Sequence, residues 1–164
     1  MTERESRPPG DPFTTSETEL AGLEARLGHT FRDPDLLLRA LTHPSYAHEH
    51  PPSAHNEALA FLGDAVVGLV VAELLSARAP QDGAGPLTQR RAALVSAPSL
   101  AGWAARLDLA AELRLGRGEE QGGGRGKESI LATAFEAVLG ALYRDGGLPL
   151  VKALVARLVD ASAS

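Results

Sequence analysis

The chain has 164 residues, no cysteine and a formal net charge of −5. Its length makes one domain the default, and the lack of cysteine excludes disulfides, thiolate metal sites and a cysteine nucleophile, which fits a reducing cytoplasm. The acidic balance removes any global basic footprint for nucleic acid, but it leaves room for a local basic rim assisted by Mg²⁺.

Residues 1–15 are charged and rich in Pro and Gly, and are expected to form a flexible tail. MTERESRPPGDP has no apolar signal core, and no apolar run is expected to reach the ~18 residues of a membrane span. A soluble, cytoplasmic protein is expected. Aromatics are 4% of the chain against 44% hydrophobic residues, so the core must be built from Leu, Ala and Val, which favours an all-α fold.

Ser16 and Glu19 read as a capping box ahead of Leu20, Leu23 and Leu27, with Gly28 ending that helix. Asp33-Pro34 is an N-cap with Pro at the first helical position, leading into DLLLRALTH. Pro44, Pro51 and Pro52 break residues 44–54 into a loop. A long helix is expected over about 56–77, with Leu59, Leu62, Val66, Leu69, Val70 and Leu74 inward. PQDGAGP at 80–86 reads as a loop, with Pro86 and then Pro98 starting the next two helices. GRGEEQGGGRG at 116–126 reads as a glycine-rich loop. A second long helix runs from Lys127 to about Asp145, with Ile130, Leu131, Ala134, Val138 and Leu142 inward. Gly146-Gly147 breaks it before an amphipathic last helix.

The chemistry-bearing residues are acids on the two long helices. Carboxylates are hard oxygen ligands for Mg²⁺ or Mn²⁺. Glu57 and Asp64 share a helix face, but seven residues separate them by roughly 10 Å, too far to hold one ion together. If the two long helices cross, Asp64 and Glu136 can meet. On spacing alone, solvated helix charges are the simpler account of all three acids.

NEALAFLGDAVVGLVVAELL resembles the signature helix of the ribonuclease III family. The resemblance continues in FRDPDLLLRALTHPSYAHEH, LTQRRAALVS, LRLGRGEEQGGGRGKESILA and FEAVLGALYRDGG, and covers about residues 20–160. It implies an all-α endonuclease domain over 16–164, an obligate homodimer, and cation-dependent cleavage of double-stranded RNA leaving two-nucleotide 3′ overhangs. Asp64 and Glu136 match the family's metal-binding acids, and Glu57 the first acid of the signature. Ala60 and Thr133 stand where two further metal carboxylates are usual. The short Mini-III branch resembles this chain at those positions and keeps one Asp and one Glu. The resemblance therefore implies a two-carboxylate Mg²⁺ site, with Mn²⁺ able to substitute. Phe61 is implied to insert into the partner subunit; as an aromatic on an apolar helix it would otherwise be core.

His43, His48, His50 and His55 cluster around a Pro-rich loop without the HExxH zinc spacing, so a solvated loop is expected. His43 and Tyr46 are expected to pack or hydrogen-bond near the dimer. The glycine-rich segment fails the phosphate-loop pattern at Gln121 and Glu128. It is read either as a flexible linker or as an RNA-backbone contact through Arg117, Arg125 and Lys127. Arg90 and Arg91 are read as solvated charges. With the chain ending at Ser164, the ~70-residue double-stranded-RNA-binding domain usual in the family is expected to be lacking. RNA affinity is then expected from the dimer valley, a structured (ribosomal precursor) substrate, or a ribosomal or other RNA-binding partner protein. The alternative is a degenerate relative that binds RNA or ribosomal particles without cleaving.

Overall fold

The computed structural model describes residues 17–164. The expected tail over 1–15 and the capping box on Ser16 lie outside them. The described residues form α1 (Glu17–Leu27), α2 (Pro34–Ala40), α3 (Pro44–Glu49), α4 (Glu57–Arg78), α5 (Ala84–Leu94), α6 (Ala97–Arg106), α7 (Leu109–Glu112), α8 (Arg117–Gln121), a 3₁₀ turn (Gly124–Gly126), α9 (Glu128–Gly146) and α10 (Leu148–Ser162). No strand forms among them; Thr42 and Arg114 make one isolated bridge. The expected all-α fold is observed.

The local signals act as read at most helix ends. Gly28 takes φ +76° and closes α1, its N–H donating to the Glu24 carbonyl at 2.9 Å. The Asp33 side chain caps α2 by accepting from the Asp35 N–H, and Ser96 caps α6 in the same way through Ser99. The expected loop at 44–54 contains α3. Pro44 sits at its first position, where no N–H is needed, so it begins a helix instead of breaking one. The expected loop at 116–126 is likewise folded into α8 and the 3₁₀ turn. α5 begins at Ala84, two residues before Pro86.

α9 is the centre of the molecule. Ala132, Ala134, Phe135 and every residue from Ala137 to Leu142 are buried, so this helix is apolar nearly all round. It packs against α2, α4, α6, α7 and α10. Phe135 meets Trp103 of α6 with ring centroids 5.7 Å apart. α4 buries Leu59, Ala60, Gly63, Val66, Val67, Val70 and Val71, a stripe with helical spacing. Leu69 was expected inward and is instead 52% exposed. It lies off that stripe, on a helix apolar enough that hydrophobicity alone does not select a face. α4 also corrects the membrane expectation. Interrupted only by Asp64 and Glu73, its best 18-residue window has mean hydropathy 2.1, long and apolar enough to cross a membrane. Packing of its buried stripe on α9 accounts for that composition within the core.

The α4–α9 crossing is unusually close. A Cβ on Gly63 would lie 1.7 Å from the Glu136 carbonyl oxygen, and one on Gly140 2.2 Å from that of Leu59. Two glycines facing each other's helix bring the backbones together at the level of Asp64 and Glu136.

Candidate active site

Asn56 sets the start of α4. It is buried, its N–H donates to the Thr42 carbonyl at 2.9 Å, and its side-chain amide donates to the Ala40 carbonyl at 3.2 Å. The first turn of α4 is thereby tied to the end of α2. Seven residues on, the glycine crossing brings Asp64 near enough to Glu136 for its charge to act on the Glu136 carboxyl. Asp64 is exposed and Glu136 half-buried. The Glu136 carboxyl is pushed up to about 7, first by burial and then by the charge of Asp64. Among the described residues, neither acid is in an ion pair with Lys, Arg or His.

That arrangement fits a divalent cation. Two adjacent carboxylates without a cationic partner form a site whose repulsion a metal relieves, and Mg²⁺ commonly keeps several waters beside one or two carboxylates. Among the described residues no group of three or more His, Cys, Asp or Glu side chains converges. Glu57 is exposed on the first turn of α4, 3.9 Å from His55 Nδ1, and remains outside the pair. Ala60 is buried in the core and Thr133 half-buried, and neither side chain carries a carboxylate.

The His–Ser neighbours are structural. His43 Nδ1 accepts the Ser45 N–H at 3.1 Å and lies 2.7 Å from Ser45 Oγ, which itself accepts the Gly116 N–H. This caps α3 and anchors the entry to α8. Burial holds the His43 pKa below its ordinary value against the pull of Glu119 and Glu57. Tyr46 stacks on His50 at 4.1 Å and carries the Arg114 guanidinium over its ring at 4.2 Å.

The glycine-rich segment is folded and cross-braced, which argues against a flexible linker. Arg125 forms a two-pronged pair with Glu120 at 2.9 and 2.6 Å, and donates to the carbonyls of Ala110 and Leu113. Lys127 pairs with Glu119 at 2.5 Å. The Arg117 N–H donates to the Glu49 carboxylate, while its side chain is exposed. Arg90 is paired with Asp82 at 2.7 Å. Phe61 projects from α4 one turn before Asp64 and is 84% exposed, so it is no part of the core. The residues that sequence reasoning missed are Gly63 and Gly140. Their signal was glycine inside two strong helices, where it costs about 1 kcal/mol relative to Ala unless packing requires it.

A ribonuclease-III-like family model matches residues 33–161. A ribonuclease 3 from Solibacter usitatus is 48% identical over 145 residues, covering 84% of this chain and 54% of that protein. The chain thus spans about half the length of that relative. Two structures of the nuclease domain of ribonuclease III from Campylobacter jejuni are 40% identical, with TM-scores of 0.80 and 0.81. They cover 87% of this chain, which in turn covers 95% and 96% of theirs. One of them is described for flexibility in a region involved in dimer formation.

Proposed function

This chain belongs to the ribonuclease III family, and from that premise we propose that it is a divalent-cation-dependent endoribonuclease acting on double-stranded or structured RNA, including ribosomal precursors, in the cytoplasm. The observation carrying this reading is the Asp64–Glu136 pair at the α4–α9 crossing, with a Glu136 carboxyl pushed up to about 7 and no ion pair to a cation among the described residues. Asp64 and Glu136 would hold Mg²⁺ or Mn²⁺. Bound there, the ion supplies a Lewis acid for the phosphodiester and a water of lowered pKa. The chain's own residues do the rest. Asp64 keeps an exposed carboxylate at the rim, while the half-buried Glu136 fixes the inner edge of the site through α9. A cation of the 116–127 segment would supply the RNA-backbone contact. A-form RNA would be recognised mainly by shape and by phosphate and 2′-hydroxyl contacts, with little base specificity.

The test is cleavage of long double-stranded RNA with Mg²⁺, Mn²⁺ or chelator. Asp64→Asn is expected to lower the metal-dependent rate by about 100-fold or more, since an amide is a poor ligand for a hard cation. Equal cleavage by wild type and this variant would sink the assignment. Binding without cleavage by wild type would favour the non-cleaving relative.

We propose further that the protein acts as a homodimer in which Phe61 enters the partner subunit near the site. An exposed aromatic of this size is a natural anchor for such an interface. Phe61→Ala is expected to weaken dimerisation by about tenfold or more in sedimentation experiments. A variant as dimeric as wild type at low concentration overturns the role.

A further inference from the structure

The basic residues of the 116–127 segment are held in two different ways. Arg125 is locked. Besides Glu120, its guanidinium serves the carbonyls of Ala110 and Leu113, at 2.5 and 2.9 Å. A phosphate offers only acceptors, so drawing Arg125 away would strand two carbonyls. Among the described residues the Lys127 side chain has a single partner, Glu119 Oε1 at 2.5 Å, and it is half exposed. Glu119 is itself an anion, so a phosphate oxygen can take its place like for like. A partly exposed pair of this kind, with the Glu119 side chain 23% exposed, is weak enough to exchange.

The location suits an RNA contact. Lys127 immediately precedes α9, about 13 Å along the axis from Glu136. His43, whose neighbour Thr42 accepts the Asn56 N–H at the start of α4, lies within electrostatic reach of Glu57, Glu119 and Lys127.

We propose that Glu119 latches Lys127 in the free protein, and that an RNA phosphate displaces Glu119 to make Lys127 the backbone contact of this segment. This rests on the RNA-binding reading above. It makes Glu119 a mask on the binding surface, and it assigns Arg125 to holding the segment's shape.

A double-mutant cycle tests it, using fluorescence anisotropy of double-stranded RNA with chelator present so that nothing is cleaved. Glu119→Gln is expected to tighten binding about threefold at low salt. It should also steepen the dependence of log K on log salt by roughly one ion, because Lys127 then carries a counterion to release. In a Lys127→Met background the same Glu119→Gln change should do nothing. Equal tightening in both backgrounds would mean simple removal of negative charge and overturns the latch. Glu120→Gln serves as the comparison: it removes the same charge but faces the locked Arg125, and is expected to lower the melting temperature without tightening binding. Tightening by Glu120→Gln equal to that by Glu119→Gln would also overturn the latch. No RNA binding by any variant would bring down the RNA-binding reading itself, and the latch with it.

Discussion

Gly63→Ala is expected to lower the unfolding free energy by about 2–4 kcal/mol and to cut cleavage by more than tenfold even where the protein remains folded. Two effects oppose each other. Alanine in place of glycine inside a helix gains up to about 1 kcal/mol from propensity. Against that, the new methyl would sit 1.7 Å from the Glu136 carbonyl oxygen, 2.5 Å from its carbon and 3.0 Å from the Gly140 nitrogen. These are backbone atoms that cannot rotate aside, so α4 and α9 must separate. Separation opens voids along Leu59, Val66, Val67 and Val138, all of which are buried, and it draws Asp64 away from Glu136. The steric term therefore wins. For a domain of this size the loss corresponds to a melting temperature roughly 5–15 °C lower. Gly68→Ala is the internal control: it lies on the same helix with nothing within 4 Å of its Cβ position, and should be neutral or stabilising by up to about 1 kcal/mol. If the two variants melt alike, the close crossing is wrong.

That crossing marks the boundary of what was legible in the chain. α4 and α9 are readable because their apolar residues recur at helical spacing over many turns. Asp64 and Glu136 are readable as candidates only through the resemblance to the ribonuclease III family, since on spacing alone they read as solvated helix charges. Their meeting is not, since spacing within one helix carries no information on where another helix crosses it. That point is set by Gly63 and Gly140, 77 positions apart in the numbering, whose backbones interlock only once the core is assembled. Leu69 failed for a related reason. On a helix this apolar, inward and outward leucines look the same until a partner picks the stripe. Residues 116–126 read as a loop because their glycines break helical pattern, yet their order comes from Arg125 reaching back to Ala110 and Leu113. Such side-chain to backbone ties have no periodicity to betray them.

Glu136→Gln should abolish cleavage and at the same time make the protein more stable at neutral and alkaline pH. In the fold the Glu136 carboxyl is pushed from its ordinary 4.5 to about 7, chiefly by burial and secondarily by Asp64. Below about pH 4.5 the group is protonated both folded and unfolded, and the two proteins should be equally stable. Between 4.5 and about 7 the folded wild type retains a proton that the unfolded chain has released, so its stability falls as pH rises. Above 7 the charge is present in both states and the full penalty remains. The glutamine variant carries no charge at any pH. Its advantage should therefore grow from pH 4.5 to 7 and then level off at about 1–3 kcal/mol, the lower part of that range reflecting solvent screening of a half-buried group. Denaturant titrations from pH 4.5 to 8.5 read this directly. Mg²⁺ should then reverse the order. A cation bound between Asp64 and Glu136 would stabilise wild type by about 2.7 kcal/mol at 100 times its dissociation constant, and it would find no second carboxylate in the variant. A glutamine protein no more stable than wild type at pH 8 would mean that Glu136 is well solvated. Stabilisation of both proteins alike by Mg²⁺ would place the ion elsewhere. Both expected results together would tie the strain of the site to its chemistry: the repulsion that weakens the free fold is what a cation relieves on binding.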